Sequence, residues 1–132
     1  MPNNNLAISL LLLRLSVFFA ILMWVIDKFL NPGHASGIFQ AFYGIGGVGT
    51  AVVWLLGAIE LLILLAFVAG IARTWSYGLV LLIHGGSTLA SFGKYLAPFE
   101  GPNLLFFAAW PMWAGCIALF LLRDADRFTL GR

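Results

Sequence analysis

The sequence predicts an all-α membrane protein: a four-helix transmembrane antiparallel bundle with a short interfacial helix between spans one and two. Three observations carry this. Of 132 residues, 62% are apolar and only 9% are charged. The mean hydropathy is +1.02. The apolar residues fall into four blocks, about 6–29, 48–71, 75–92 and 104–122. A helix rises about 1.5 Å per residue and a bilayer core is about 30 Å thick, so roughly 20 residues cross it. Each block is near that length. Within lipid every backbone polar group must be paired inside the segment, which makes each block a helix. The ten-residue alternation of a membrane β-barrel is absent. A soluble fold this short has too little polar surface to cover so much apolar surface. The net charge of +2 forms no basic stripe, so nucleic acid is excluded and the bilayer is the expected partner.

The elements follow in order as a single domain over 1–132. The first block has no basic residues before it and carries Arg14 inside it, so it reads as an uncleaved span and not a signal peptide. Asn31, Pro32 and Gly33 end it. Over residues 36–43, Ile38, Phe39, Phe42 and Tyr43 share one side of a short helix suited to the interface. Gly44, Gly46, Gly47 and Gly49 lead flexibly into span two. The link Ala72-Arg73-Thr74 forces spans two and three into an antiparallel hairpin. Residues 98–103 form a stiff turn, with Asn103 as N-cap of span four. Pro111 should kink that span.

Lys and Arg set the orientation. Four spans put both termini on one side with Arg73, Arg123, Arg127 and Arg132, and leave Lys28 and Lys94 on the other. Both termini are therefore expected in the cytoplasm, with residues 31–47 and 98–103 facing outward.

Three ionisable residues lie where lipid is expected: Arg14, Glu60 and His84. Such groups are costly and face a partner inside the bundle. Counted from the cytoplasmic ends of their blocks they lie about 12, 16 and 14 Å deep. Shared depth predicts that Arg14 and Glu60 are in contact or water-bridged. From His84, the residues Ser87, Thr88 and Ser91 continue one helix face, with Tyr77 before and Tyr95 after it. Gly85 and Gly86 beside that face permit close approach. Asp27 and Lys28 mark the outward end of span one. Together these predict a pocket between spans one and three: Arg14, Glu60 and His84 at its floor, hydroxyl walls, a Lys28–Tyr95 mouth with Asp27 on its rim, and a Phe39/Phe42 lid. The alternatives are an Arg14–Glu60 pair that only fixes packing and hydroxyls bonded to their own helix. Cys116 is a lone buried thiol, which excludes an internal disulfide, and no metal-ligand spacing is present.

The residues Leu11-Leu12-Leu13-Arg14-Leu15, Trp24-Val25-Ile26-Asp27-Lys28-Phe29 and Gly57-Ala58-Ile59-Glu60-Leu61, with Arg73 before span three, resemble DoxX-like membrane proteins over nearly the whole chain. The resemblance implies a four-helix bundle in the bacterial cytoplasmic (inner) membrane with a redox association. Relatives include the membrane subunit of a thiosulfate:quinone oxidoreductase. Arg14, Lys28 and Glu60 match the family pattern by position. Two functions follow as expectations. In the first, the chain binds a quinone or similar apolar ligand, with no covalent cofactor, beside a partner redox protein or a second copy of itself. His84 then bonds a carbonyl, and Ser87 or Thr88 assists. In the second, it is a non-enzymatic scaffold or carrier of lipid or small solutes. Whether the chain is itself an enzyme is left open.

Overall fold

The computed structural model describes residues 4–44, 46, 47, 49–101 and 103–131, with no account of the Phe39 side chain. Four expected features therefore lie outside the described residues: the Phe39 half of the lid, Val48 at the start of span two, Pro102 in the stiff turn, and Arg132. The chain is all-helical. Its elements are α1 (Asn5–Leu30), α2 (Pro32–Tyr43), α3 (Thr50–Ala69), α4 (Arg73–Ala90), the short α5 (Phe92–Tyr95), a 3-10 segment Asn103–Ala108, α6 (Ala109–Leu121) and a 3-10 turn Arg123–Ala125. Three stretches are long and apolar enough to cross a membrane: Asn5–Leu30, Thr50–Ala69 and Asn103–Leu121. Helix α4 falls below that apolarity, because Arg73, His84 and its hydroxyl residues dilute its aliphatic centre.

Large apolar side chains point outward along these helices, as lipid requires: Phe19, Leu55 and Leu62 are all mostly exposed. The core is a narrow seam. Leu10, Val17, Ile21 and Val25 form the buried stripe of α1, at the three- and four-residue spacing of one helix face. Leu64 and Phe67 meet it from α3, Tyr77 and Val80 from α4, Cys116 and Leu119 from α6. Arg14 occupies a position on the same α1 stripe and is only 2% exposed.

Small residues let the helices close. An added Cβ at Gly57 would lie 3.1 Å from the Phe29 ring, and one at Gly115 would lie 2.9 Å from Leu13. These two contacts fix the relative height of the helices. The end of α1 lies opposite the middle of α3, so Lys28, and not Arg14, is level with Glu60.

Two local expectations are corrected. Pro111 does not kink a continuous helix. It sits in the first turn of α6, where its missing N–H costs nothing, and the residues before it wind as a 3-10 helix instead. Asn103 does not cap with its side-chain oxygen. Its Nδ2 donates to the Ala97 carbonyl at 2.9 Å and closes the 97–103 turn.

The C-terminal segment folds back against the start of α4. The Leu130 N–H donates to Ala69 O at 2.7 Å, and Arg73 donates to both Asp126 O and Thr129 Oγ1 at 2.9 Å. Gly70 makes this docking possible. Its φ is +74°, and an added Cβ would lie 2.3 Å from Thr129 Cγ2. Gly70→Ala should therefore destabilise by about 1–2 kcal/mol through the left-handed backbone alone. The steric clash adds to this. Thermal unfolding of the detergent-solubilised protein checks it. Gly70→Ala should melt lower than wild type, and adding Thr129→Gly, which also removes the Thr129 Cβ at 2.4 Å, should recover part of the steric loss and none of the backbone cost.

Candidate functional site

The sequence-predicted polar residues separate into two sites at opposite ends of the bundle. The first surrounds Arg14. Its guanidinium donates to Asp126 Oδ2 at 2.6 Å, to the Tyr77 hydroxyl at 3.1 Å, and to the Phe128 carbonyl. Tyr77 in turn donates to Asp126 Oδ2 at 2.5 Å. The Asp126 side chain is fully buried. The expected Arg14–Glu60 contact is thus corrected: Arg14 is neutralised by the C-terminal segment. Depth counted from the first apolar residue misled here, because α1 extends past the turn joining α3 to α4. This network is a structural clasp and does not line the cavity.

The second site is a cavity of about 760 Å³ at the end of the bundle where α1 ends. That volume lies in the range of small-molecule pockets. Its polar end combines α1, α2 and α3. Lys28 Nζ donates to Glu60 Oε2 at 3.2 Å, with both side chains mostly buried. Beside it, His34 Nδ1 and Asp27 Oδ2 are 2.6 Å apart, and the Trp24 and His34 rings lie 5.9 Å apart between centroids, tilted by 30°. Only Asn31 separates α1 from α2, so α2 turns back at once and brings His34 onto the last turns of α1. The wall is apolar, with Ile21, Leu82, Ile83, Leu105 and Met112 among its residues.

The face of α4 contributes His84, Ser87, Thr88 and Ser91 to the lining. Most of its polar atoms are already satisfied. Thr88 Oγ1 donates to His84 O at 2.8 Å and Ser91 Oγ to Ser87 O at 2.9 Å, both backward along the same helix. His84 Nε2 lies 3.1 Å from Ala109 O, so Nε2 carries the proton and donates to α6. In the neutral ring that leaves Nδ1 as the acceptor facing away from this bond. Ser87 Oγ faces Tyr43 OH at the long distance of 3.4 Å.

Tyr95 does not frame a mouth with Lys28. Its hydroxyl donates to Thr88 O at 2.9 Å, and its ring packs on Phe107 and Trp110. Burial pushes its phenol above the usual tyrosine value, so it stays a neutral donor there. In its place Lys94 lies 5.7 Å from the centroids of both Phe42 and Phe106, and so ties the end of α2 to the 3-10 segment.

Sequence reasoning missed His34, Trp24 and Phe106 in the cavity and Asp126 in the clasp. His34 lies outside the span but seven residues from Asp27, which is two helical turns. Asp126 carried a signal of a different kind: an arginine on a core stripe demands a carboxylate, and Glu60 was not the only acidic residue in the chain. Among the described residues no group of three His, Cys, Asp or Glu is placed to hold a metal ion. Chemically, the cavity offers an ammonium donor, a carboxylate acceptor, a histidine–aspartate pair on its rim and apolar walls. Comparison of the chain with protein-family models, curated proteins and solved structures gives no match.

Proposed function

We propose that this chain is an integral protein of the bacterial cytoplasmic membrane. It crosses four times, with α1, α3, α4 and the Asn103–Leu121 stretch, and both termini are cytoplasmic. Its cavity binds a quinone or similar apolar ring and works with a partner oxidoreductase. The carrying observation is the 760 Å³ cavity with apolar walls and the Lys28–Glu60 pair at its polar end. An apolar ring with two carbonyls suits that division: the walls take the ring and Lys28 donates to a carbonyl oxygen. Reduction then moves two electrons from the partner oxidoreductase and two protons from water, relayed by the Asp27–His34 and Lys28–Glu60 pairs, to give the quinol. The DoxX-like motifs around Arg14, Lys28 and Glu60 support the redox association. The arginines at 73, 123 and 127 support the orientation.

A second reading, a scaffold without a ligand, is favoured by one observation: Lys28 and Asp27 already have partners inside the chain. One experiment separates the two. Lipid is extracted from protein purified from bacterial membranes, and bound quinone is quantified. The ligand reading expects near-stoichiometric quinone in wild type and its loss in Lys28→Met. Quinone no more abundant than in an unrelated membrane protein purified alongside supports the scaffold. Orientation is read from Glu100→Cys and Leu130→Cys in intact cells, against a low background because Cys116 is buried. Impermeant thiol reagents should label position 100 and spare position 130.

A further inference from the structure

The cavity has a side opening as well as a polar end. Leu82 lines it and is nevertheless 67% exposed. Leu105, across the cavity wall, lines it too and is 76% exposed. A residue that both lines a cavity and stays exposed stands at its edge. Leu82 is nine residues past Arg73, about 14 Å along α4, and so belongs to the middle of that helix. Gly86, one turn further on, also lines the cavity, and an added Cβ there meets nothing within 4 Å. The neighbouring exposed side chains on α4 are Leu79, Ser87 and Leu89, of which only the small Ser87 is polar. No charged side chain of α4 borders the gap. An opening with such a rim, half-way along a helix, faces hydrocarbon and not water.

We infer that the ligand is a membrane amphiphile with a single hydrocarbon chain. Its head sits at Lys28–Glu60, and its chain leaves sideways past Gly86 and Leu82 into the bilayer. This rests on the quinone reading of the cavity and specifies it. The ligand arrives from the membrane plane, and the site selects a tailed molecule over a soluble ring. The polar cluster lies at the α1–α2 junction and the opening on α4, so head and chain occupy separate parts of one continuous space. Burial of chain methylenes against Ile83, Leu82 and Met112 then adds affinity that a bare ring lacks.

The test compares two probes on the purified chain in bilayer nanodiscs: decylubiquinone and the same dimethoxy-methyl-benzoquinone ring without its alkyl chain. Equilibrium binding is measured for wild type, Gly86→Phe, Leu82→Trp and Lys28→Met. Gly86→Phe fills the opening without a clash at Cβ, and Leu82→Trp crowds the same opening from an exposed position, so a folding defect in one leaves the other. The inference expects at least tenfold weaker decylubiquinone binding in both opening variants, with the tail-less ring changed less than twofold. Lys28→Met should weaken both probes. Unchanged decylubiquinone binding in Gly86→Phe and Leu82→Trp overturns the side opening, while a Lys28→Met effect leaves the cavity reading standing. Equal weakening of both probes by the opening variants also overturns it. If wild type binds neither probe, the quinone reading fails and the inference falls with it.

Discussion

Asp126→Ala should be the most damaging single substitution in the chain, lowering the melting temperature of the solubilised protein by roughly 10 °C or more. Arg14 is 2% exposed and carries a full charge on the core stripe of α1. Asp126 supplies the only carboxylate in contact with it among the described residues. Removing one partner of a buried pair strands the other, at a cost of about 3–5 kcal/mol in soluble proteins. The same substitution also takes an acceptor from Tyr77. Asp126→Asn, which keeps an acceptor and loses the charge, should fall between alanine and wild type. The double variant Arg14→Met/Asp126→Leu should recover much of the loss, because a buried pair is replaced by apolar contact. An Asp126→Ala protein that melts with wild type would show that Arg14 does not depend on the C-terminal segment.

The second large effect is expected on ligand binding. Lys28→Met should reduce quinone binding by roughly ten- to a hundredfold, the value of one charge-assisted hydrogen bond of about 1.5–3 kcal/mol. Glu60→Gln should cost less, since a glutamine oxygen still accepts from Lys28 and the ammonium remains. The order therefore separates a donor role of Lys28 from a purely structural pair. If the two residues only hold α1 to α3, both substitutions should lower stability alike and leave bound quinone unchanged. Titration of purified variants alongside their unfolding curves reads both quantities on the same samples.

The helical class, the positions of the long helices and the existence of a polar face on α4 were legible in the sequence, because periodicity and block length report directly on backbone pairing and burial. Partners were not legible. Arg14 and Glu60 were matched by depth within their own blocks, yet helices of unequal length do not share a zero. The Gly57–Phe29 and Gly115–Leu13 approaches set the real heights, and neither shows in an apolar run. The hydroxyl residues line the cavity as expected, but most of their donors are spent. Thr88 and Ser91 do form pocket wall, and each also donates to the carbonyl four residues back, which is the alternative that the sequence left open. His34 lies outside the expected spans, yet α2 turns back so sharply after α1 that it is delivered to Asp27. Asp126 lies beyond the last apolar block, where only the alternation of Phe128 and Leu130 with polar residues after it hints at burial.

A crystal structure of the chain grown in lipid, from protein carrying whatever it binds in its native membrane, reads the occupancy of the cavity directly. The expected result is elongated density with its head at about 3 Å from Lys28 Nζ and its chain passing Gly86 and Leu82 toward the bilayer. Lys28 closed on Glu60 with only ordered water, or a cavity collapsed by inward movement of α2, would contradict a ligand-binding function.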